Sequence, residues 1–473
     1  MKKIIFSIAI FAFLLASCTT DFEEINTNQN APVSVQPSLL LRQVIYNFGD
    51  EMSYEGFAAG DLLGQYRTAL DFNLFGRHDL KSPQLGGNPW PIFFTNLRDN
   101  EIILKQSRET PAFKVYEGPS LILKAYMAAG LTDLFGDVPY FDGTVTPTYD
   151  LQEDIYQNEK GILDNLDKGI AAINAYSGSI RLEGDILFDG NLNSWVRFAN
   201  SLKIKYLVRI SDKVNVASQL QTIFSNGNYI TTNSQNAVFD FTNTEPNSFR
   251  LAQLRVGDFN NYVMSKTVED ILTNLNDTRI GVYFKTVANA SSGTYKGLLN
   301  GVDATSTSIT PADYSLSGKA FREDTSVLDA NFSTAWETSF FLAEAAQKGL
   351  ITANAQTLYE NGVRLAFEYW QTEMPANYLT GNAAFNAAGT TQIQQIITQK
   401  WIANIINGYE GWTEFRRTGF PAFKQISASL NNNIYPVRMP YPADEAALNA
   451  ANYNTAAIAT NDNSTNIKVW WAE

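Results

Sequence analysis

The chain has 473 residues with 35 Lys+Arg against 48 Asp+Glu, a formal charge of −13. Nucleic acid binding needs a basic footprint that displaces counterions from phosphates, and no stretch supplies a dense Lys/Arg cluster, so that class is excluded. A single histidine, His78, and a single cysteine, Cys18, exclude His-based triads, multi-histidine metal sites and an internal disulfide. Stability must then come from burial, which a chain of this length can supply.

Length alone suggests two or three domains at about 150 residues each, although a helical array can run longer as one unit. The unusual quantity is 13% aromatic residues, made of 30 Phe, 22 Tyr and 8 Trp. Many such rings belong in a core. A surface rich in rings and amides also suits sugars, because an aromatic face packs on the apolar face of a pyranose while amides and acids bond its hydroxyls.

In chain order, Lys2 and Lys3 precede an apolar run from Ile4 to Ala16 that closes on Leu15-Ala16-Ser17-Cys18. The run is shorter than the roughly 20 apolar residues of a spanning helix. Residues 1–17 therefore read as a lipoprotein signal peptide, with the mature chain expected to begin at a lipidated Cys18 and to be held at a membrane without a spanning segment. Residues 18–36 are polar, acidic and proline-containing, and read as a flexible tether.

Helical signals then run over 37–70, 91–107, 113–134, 152–176, 192–213, 332–349, 354–374 and 391–406. Phe332, Trp336, Phe340 and Ala343 fall on one stripe at near-helical spacing. The next helix follows Gly349-Leu350-Ile351-Thr352 and carries Leu358, Val363, Leu365, Phe367, Tyr369 and Trp370. Two helices with so short a link form the hairpin from which tetratricopeptide-like arrays are built. The fold class expected is mainly all-α: a tetratricopeptide-like helical hairpin array with irregular loop insertions and a few short strands, one near Ala237–Phe241. The insertions are 71–90, 226–262 and 285–331, rich in Gly, Ser, Asn and Thr. The last is too long for a passive loop, which places the expected binding surface there.

No G-x-S-x-G, P-loop or Rossmann fingerprint occurs. Among 48 acids some pair can always satisfy the spacing of a glycosidase, but no motif supports one. His78 lies in Phe75-Gly76-Arg77-His78-Asp79, as either a solvated loop histidine or a ligand contact. Asp133, Asp137 and Asp142 flank a turn and are close enough in sequence to hold Ca²⁺. The structural reading is stronger: Gly136 stops a helix, Val138-Pro139 is extended, and the acids accept backbone hydrogen bonds. No cofactor is expected.

Four motifs together resemble the SusD/RagB family, and within it the second SusD-like branch: LTDLFGDVPY (131–140), the hairpin AWETSFFLAEAAQKGLI (335–351) with LYENGVRLAFEYW (358–370), QKWIANIINGYEGWTEFRRTGFP (399–421), and VRMPYPADEAALNAANY…KVWW (437–471). The resemblance covers nearly the whole mature chain in order and implies one SusD-like helical domain over 37–473. It further implies a surface lipoprotein of the Bacteroidetes outer membrane that caps a SusC-like TonB-dependent transporter and captures nutrients, usually glycans and sometimes peptides, without being an enzyme. The motifs themselves look like scaffold. Trp336, Tyr369, Trp370 and Trp401 sit on helix stripes, Arg416, Arg417 and Arg438 are placed to bond backbone carbonyls or buried acids, and Trp470 and Trp471 pin the tail.

The leading reading is a non-enzymatic protein that holds an oligosaccharide by ring stacking and amide hydrogen bonds. Candidate contacts are Phe72, Phe75, Arg77, His78 and Trp90 from the first insertion, with Phe249, Arg250, Phe259 and Tyr314 from the later ones. Trp90 is equally placed to staple the entrance of helix 91–107. The same fold binding peptides, and a helical-barrel glycosidase on the same membrane, are the alternatives.

Overall fold

A computed structural model describes residues 35–473 apart from 289, 291, 292, 304, 306 and 307. Cys18, the signal 1–17 and the tether as far as residue 34 lie outside the described residues. The helices are α1 Pro37–Glu55, α2 Trp90–Glu109, α3 Glu117–Phe135, α4 Gln152–Gln157, α5 Ile162–Ala175, α6 Leu192–Ile210, α7 Ala217–Asn226, α8 Lys266–Leu275, α9 Ala335–Gln347, α10 Ala355–Tyr369, α11 Gln392–Ala403, α12 Glu410–Thr418, α13 Ala443–Leu448 and α14 Ala450–Ala459, with shorter helical turns between them. Four short strands, β1 Arg67–Ala69, β2 Ala237–Asp240, β3 Tyr262–Met264 and β4 Asp329–Ser333, pair antiparallel as β1 with β3 and β2 with β4. The fold is therefore mainly helical, as expected.

Local chemistry starts and stops these helices. Asn191, Thr334, Asn354 and Thr391 each accept the backbone N–H three residues on, which satisfies a donor that has no partner inside the helix. Gly136, at φ +77°, ends α3 and donates its N–H to the Thr132 carbonyl at 2.7 Å. Helices pack in succession: α1 on α2, α2 on α3, α3 on α5, α5 on α6, α6 on α9, and α9 on both α10 and α11. Where α3 crosses α5 the backbones come close, for a Cβ on Gly118 would stand 2.4 Å from Ile173 Cγ1 and 2.8 Å from the Gly169 carbonyl. Buried apolar residues from Leu40 to Trp471 form one continuous cluster.

Several predicted boundaries are corrected. The helix expected over 37–70 stops at Glu55 and passes through a π-helical turn at Gly56–Gly60 before β1. A Cβ at Gly60 would lie 1.9 Å from the Gly408 carbonyl, so this stretch is shaped by the 404–409 loop packed against it. The single helix expected over 152–176 is split at 158–161, where Lys160 takes φ +65°. Phe332 belongs to β4, so α9 begins three residues later than the stripe suggests. Helix α12 was unreadable because its buried face includes Glu414 and Arg416 beside Trp412, which defeats a hydrophobic pattern.

Those charges form a buried network between α6, α9, α11 and α12. Lys205 pairs with Glu337 and Glu410 at 2.9 Å each, Arg209 with Glu410 (2.6 Å), Glu414 (3.3 Å) and Asp133, Lys400 with Glu414 (2.8 Å), and Arg417 with Glu414 (2.6 Å) and Glu344. Each buried cation is matched by carboxylates, which is the condition for holding charge inside a fold. Arg416 donates to the Asp133 and Val437 carbonyls, and Arg438 to those of Phe135 and Ser464, as the flanking turns imply. Trp471 is buried and donates to Asp133 at 2.7 Å, tying down the C-terminal tail.

Candidate ligand-binding site

The inserted segments meet at the β1–β3 pair. Arg67, Thr68 and Ala69 face Met264, Val263 and Tyr262, Leu316 bridges to Val263, and Leu298 bridges to Ser265. Arg67 is fully buried beneath this sheet, paired with Asp61 and lying over the rings of Phe57 (4.6 Å) and Phe321 (4.3 Å). Side-chain amides stitch the segments together. Asn73 donates to the Val302 carbonyl (2.7 Å), Asn300 to that of Arg67 (2.7 Å) and Arg77 to that of Ala428 (2.9 Å).

Phe72 stands at the start of the first insertion, just past the end of β1. It is 56% exposed and has φ +48°, a left-handed backbone that a bulky L-residue adopts only at a cost. The turn is held from both sides: Asp71 accepts the Phe72 N–H (2.8 Å), and Asn261 exchanges two hydrogen bonds with the Asp71 backbone (2.7 Å each). Val256, 61% exposed, lies on the short turn that leads to Asn261. Tyr314 is half-buried, with Lys296 Nζ 4.7 Å from its ring centre.

The remaining candidates occupy other environments. Arg77 approaches Asp303 at 3.6 Å and keeps a little surface. Arg250, about a third exposed, is fixed by Asp50 (2.6 Å) and Glu51 (2.8 Å) and lies over the Tyr54 ring. Burial pulls its pKa down, but the hydrogen bond to Glu51 and the charge of Asp50 more than reverse this and raise it.

Five candidates lie in the core, where their rings are already covered by protein. Phe75 is buried, Phe249 packs on Phe241, and Phe259 stacks on Phe57 with 5.6 Å between centroids. Trp90, the first residue of α2, is buried among Phe94, Phe135, Tyr149 and Tyr441. His78 is not a solvated loop residue, since it is 5% exposed and edge-on to Tyr435. Burial lowers its pKa to about 4, partly offset by the hydrogen bond to the Ile434 carbonyl.

The turn acids bond protein: Asp133 accepts from Tyr156 and Trp471, Asp137 from the Gln152 N–H, and Asp142 from the Thr144 N–H. Among the described residues, no group of three or more His, Cys, Asp or Glu side chains is arranged to hold a metal. Nor is any helix among them long and apolar enough to cross a membrane. Sequence reasoning missed a cleft of about 340 Å³ between Leu80–Pro89 and the segment 439–444. Its walls come from chain stretches some 350 positions apart, so nothing local announces it.

Fold and surface together define a helical scaffold whose inserted loops meet in two short antiparallel pairs, β1 with β3 and β2 with β4. Residues 29–442 match the second SusD-like family, described as starch-binding and associating with the outer membrane. The chain belongs to that family. Similar solved structures include a chitin-binding protein at 25% identity and TM-score 0.77, covering 92% of this chain and 100% of its own. A SusD homologue from Bacteroides fragilis gives 25% identity and TM-score 0.78, covering 93% and 100%. A chitin-binding SusD homologue from Flavobacterium johnsoniae gives 21% and 0.75, covering 92% and 98%, which bears on the fold alone. No curated protein matches the sequence.

Proposed function

We propose that the protein is a lipid-anchored outer-membrane surface protein that captures an oligosaccharide at the loop surface around Phe72 and passes it to a SusC-like TonB-dependent transporter, without chemistry of its own. Phe72 is the observation that carries the reading. A large exposed ring in a left-handed backbone costs the folded chain twice, once in exposed apolar surface and once in backbone strain, and such outliers gather where a ligand is held. Tyr314, on the segment that bridges to β3 at Leu316, supplies a second partly open ring, and Arg77, in the same insertion as Phe72, supplies an anchored donor that suits hydroxyls. The family's starch-binding description and the chitin-binding neighbour support a glycan over a peptide. The expected lipid at Cys18 accounts for the anchor.

Calorimetric titration of the mature protein with maltohexaose and chitohexaose tests this. Phe72→Ala should weaken binding about tenfold or more, by analogy with the ~1–3 kcal/mol of a stacked ring. No reducing ends should appear. Affinity unchanged in both Phe72→Ala and Tyr314→Ala would displace the site, release of reducing ends would favour the glycosidase, and binding of peptides alone would change the ligand class. Recovery of a barrel protein with the tagged chain from solubilised outer membranes tests the partner.

A further inference from the structure

We infer that the 340 Å³ cleft between Leu80–Pro89 and the segment 439–444 is a second saccharide subsite, which takes an uncharged sugar unit of the same chain that stacks on Phe72. The inference rests on the glycan reading above and adds to it a place and a minimum ligand length. The volume lies within the range of small-molecule pockets. Its floor is apolar and fixed: Met439 donates its backbone N–H to the Leu134 carbonyl at 2.8 Å, and Tyr441 is buried with its hydroxyl on the Asp137 carbonyl at 2.8 Å. Asn463 clamps Tyr441 from both sides, accepting its N–H (2.8 Å) and donating to its carbonyl (2.9 Å). Pro83, Pro89, Pro440 and Pro442 stiffen the walls, so the cleft needs no closure and a ligand meets little ordering cost.

The rim has the chemistry of a polyol site. Tyr453 is half-buried, edge-on to Tyr441 with centroids 6.5 Å apart, and offers a partly open ring. Asn88 and Asp444 are exposed at the mouth and can serve hydroxyls as donor and acceptor. Lys81 stands on the same rim, so one ammonium and one carboxylate leave the cleft without a net charge that would select an ion. The arm that walls the cleft is also the arm that carries Phe72. Gln84 accepts the Leu74 N–H at 3.1 Å, and Gly87 lies so close to Phe75 that a Cβ would come within 2.5 Å of its ring. A sugar chain that engages Phe72 and the cleft together binds through linked subsites, which raise the affinity of long ligands over short ones without any stronger single contact.

The test is calorimetry of the mature protein with the di- and hexasaccharides of the maltose and chitobiose series, on wild type, Phe72→Ala, the double variant Asn88→Ala/Tyr453→Ala, and Asn88→Trp, which plugs the mouth without removing a wall. Both cleft variants should lower affinity for the hexasaccharide about tenfold, the worth of one contact of ~1.4 kcal/mol. They should also abolish most of its advantage over the disaccharide, with melting unchanged in Asn88→Trp, which keeps the Tyr453 ring against Tyr441. If Phe72→Ala weakens binding while both cleft variants match wild type, the subsite is overturned and the Phe72 site stands. If wild type binds neither series, the glycan reading and the subsite fall together.

Discussion

At the scale of single residues, Phe72 lets backbone strain be tested apart from the proposed ligand contact. Left-handed backbone costs an L-residue about 1–2 kcal/mol, and the exposed ring returns little of this through burial. Phe72→Gly is expected to raise stability by about 1 kcal/mol in urea denaturation while weakening glycan binding as much as expected of Phe72→Ala; a loss of stability would mean that the ring packs. His78 is the opposite case, a titratable group that the fold keeps neutral. Its folded pKa of about 4 lies below the ~6.5 of an unfolded chain, so the unfolded state takes up the proton first and stability falls as pH drops from ~6.5 toward 4. With one histidine in the chain, its imidazole resonance is unambiguous, and NMR should place its midpoint near 4; a midpoint at the ordinary value would contradict the burial.

At the scale of elements, small residues decide how closely helices and loops approach. Ala at Gly118 would press into Ile173 and the Gly169 backbone, and overpacking of this kind costs about 1–3 kcal/mol. Gly143, with nothing within 4 Å of a built Cβ, is the control: Gly143→Ala should leave the denaturation midpoint unchanged while Gly118→Ala lowers it.

At the scale of the molecule, the buried network makes α6, α9, α11 and α12 depend on one another's charge. Burial opposes ionisation of Glu410 and Glu414, yet Arg209 and Lys205 hold Glu410 down to about 2, and Arg417, Lys400 and Arg209 hold Glu414 well below its ordinary value. Depressed carboxylates stabilise the fold above the unfolded pKa of ~4.3 and lose that contribution as pH falls toward 2. Thermal melting should therefore drop steeply over this interval. Glu414→Gln, which removes the carboxylate shared by Lys400, Arg417 and Arg209 and leaves Glu344 alone to answer Lys400 and Arg417, should cost about 3 kcal/mol at pH 7, the low end for breaking a buried pair, and flatten the acid limb; a pH profile identical to wild type would exclude the network as its cause. Beyond the described residues, Cys18→Ala should leave melting unchanged and release the protein from membranes, read by palmitate labelling and fractionation.

Periodicity found the helical repeat because those helices bury apolar stripes, and Trp336, Trp370 and Trp401 are buried where their spacing put them. Chain order and motif fixed the family for the same reason, since the motifs are scaffold. The helix α12 escaped notice because its inward face is charged, and charge is buried only when partners from α6, α9 and α11 arrive to neutralise it. The candidate surface was legible only as a set of inserted segments, and the exposure of its individual rings was not. Phe249 and Phe259 share the insertions' composition with Phe72 and Tyr314, but whether a ring faces solvent or Phe57 depends on which segment folds over it. The amino-acid sequence by itself determined the helical pattern and the family, because these are written in local pattern and order. Only the tertiary structure decided which rings stay open and where a cleft forms, because both are set by contacts between segments hundreds of residues apart.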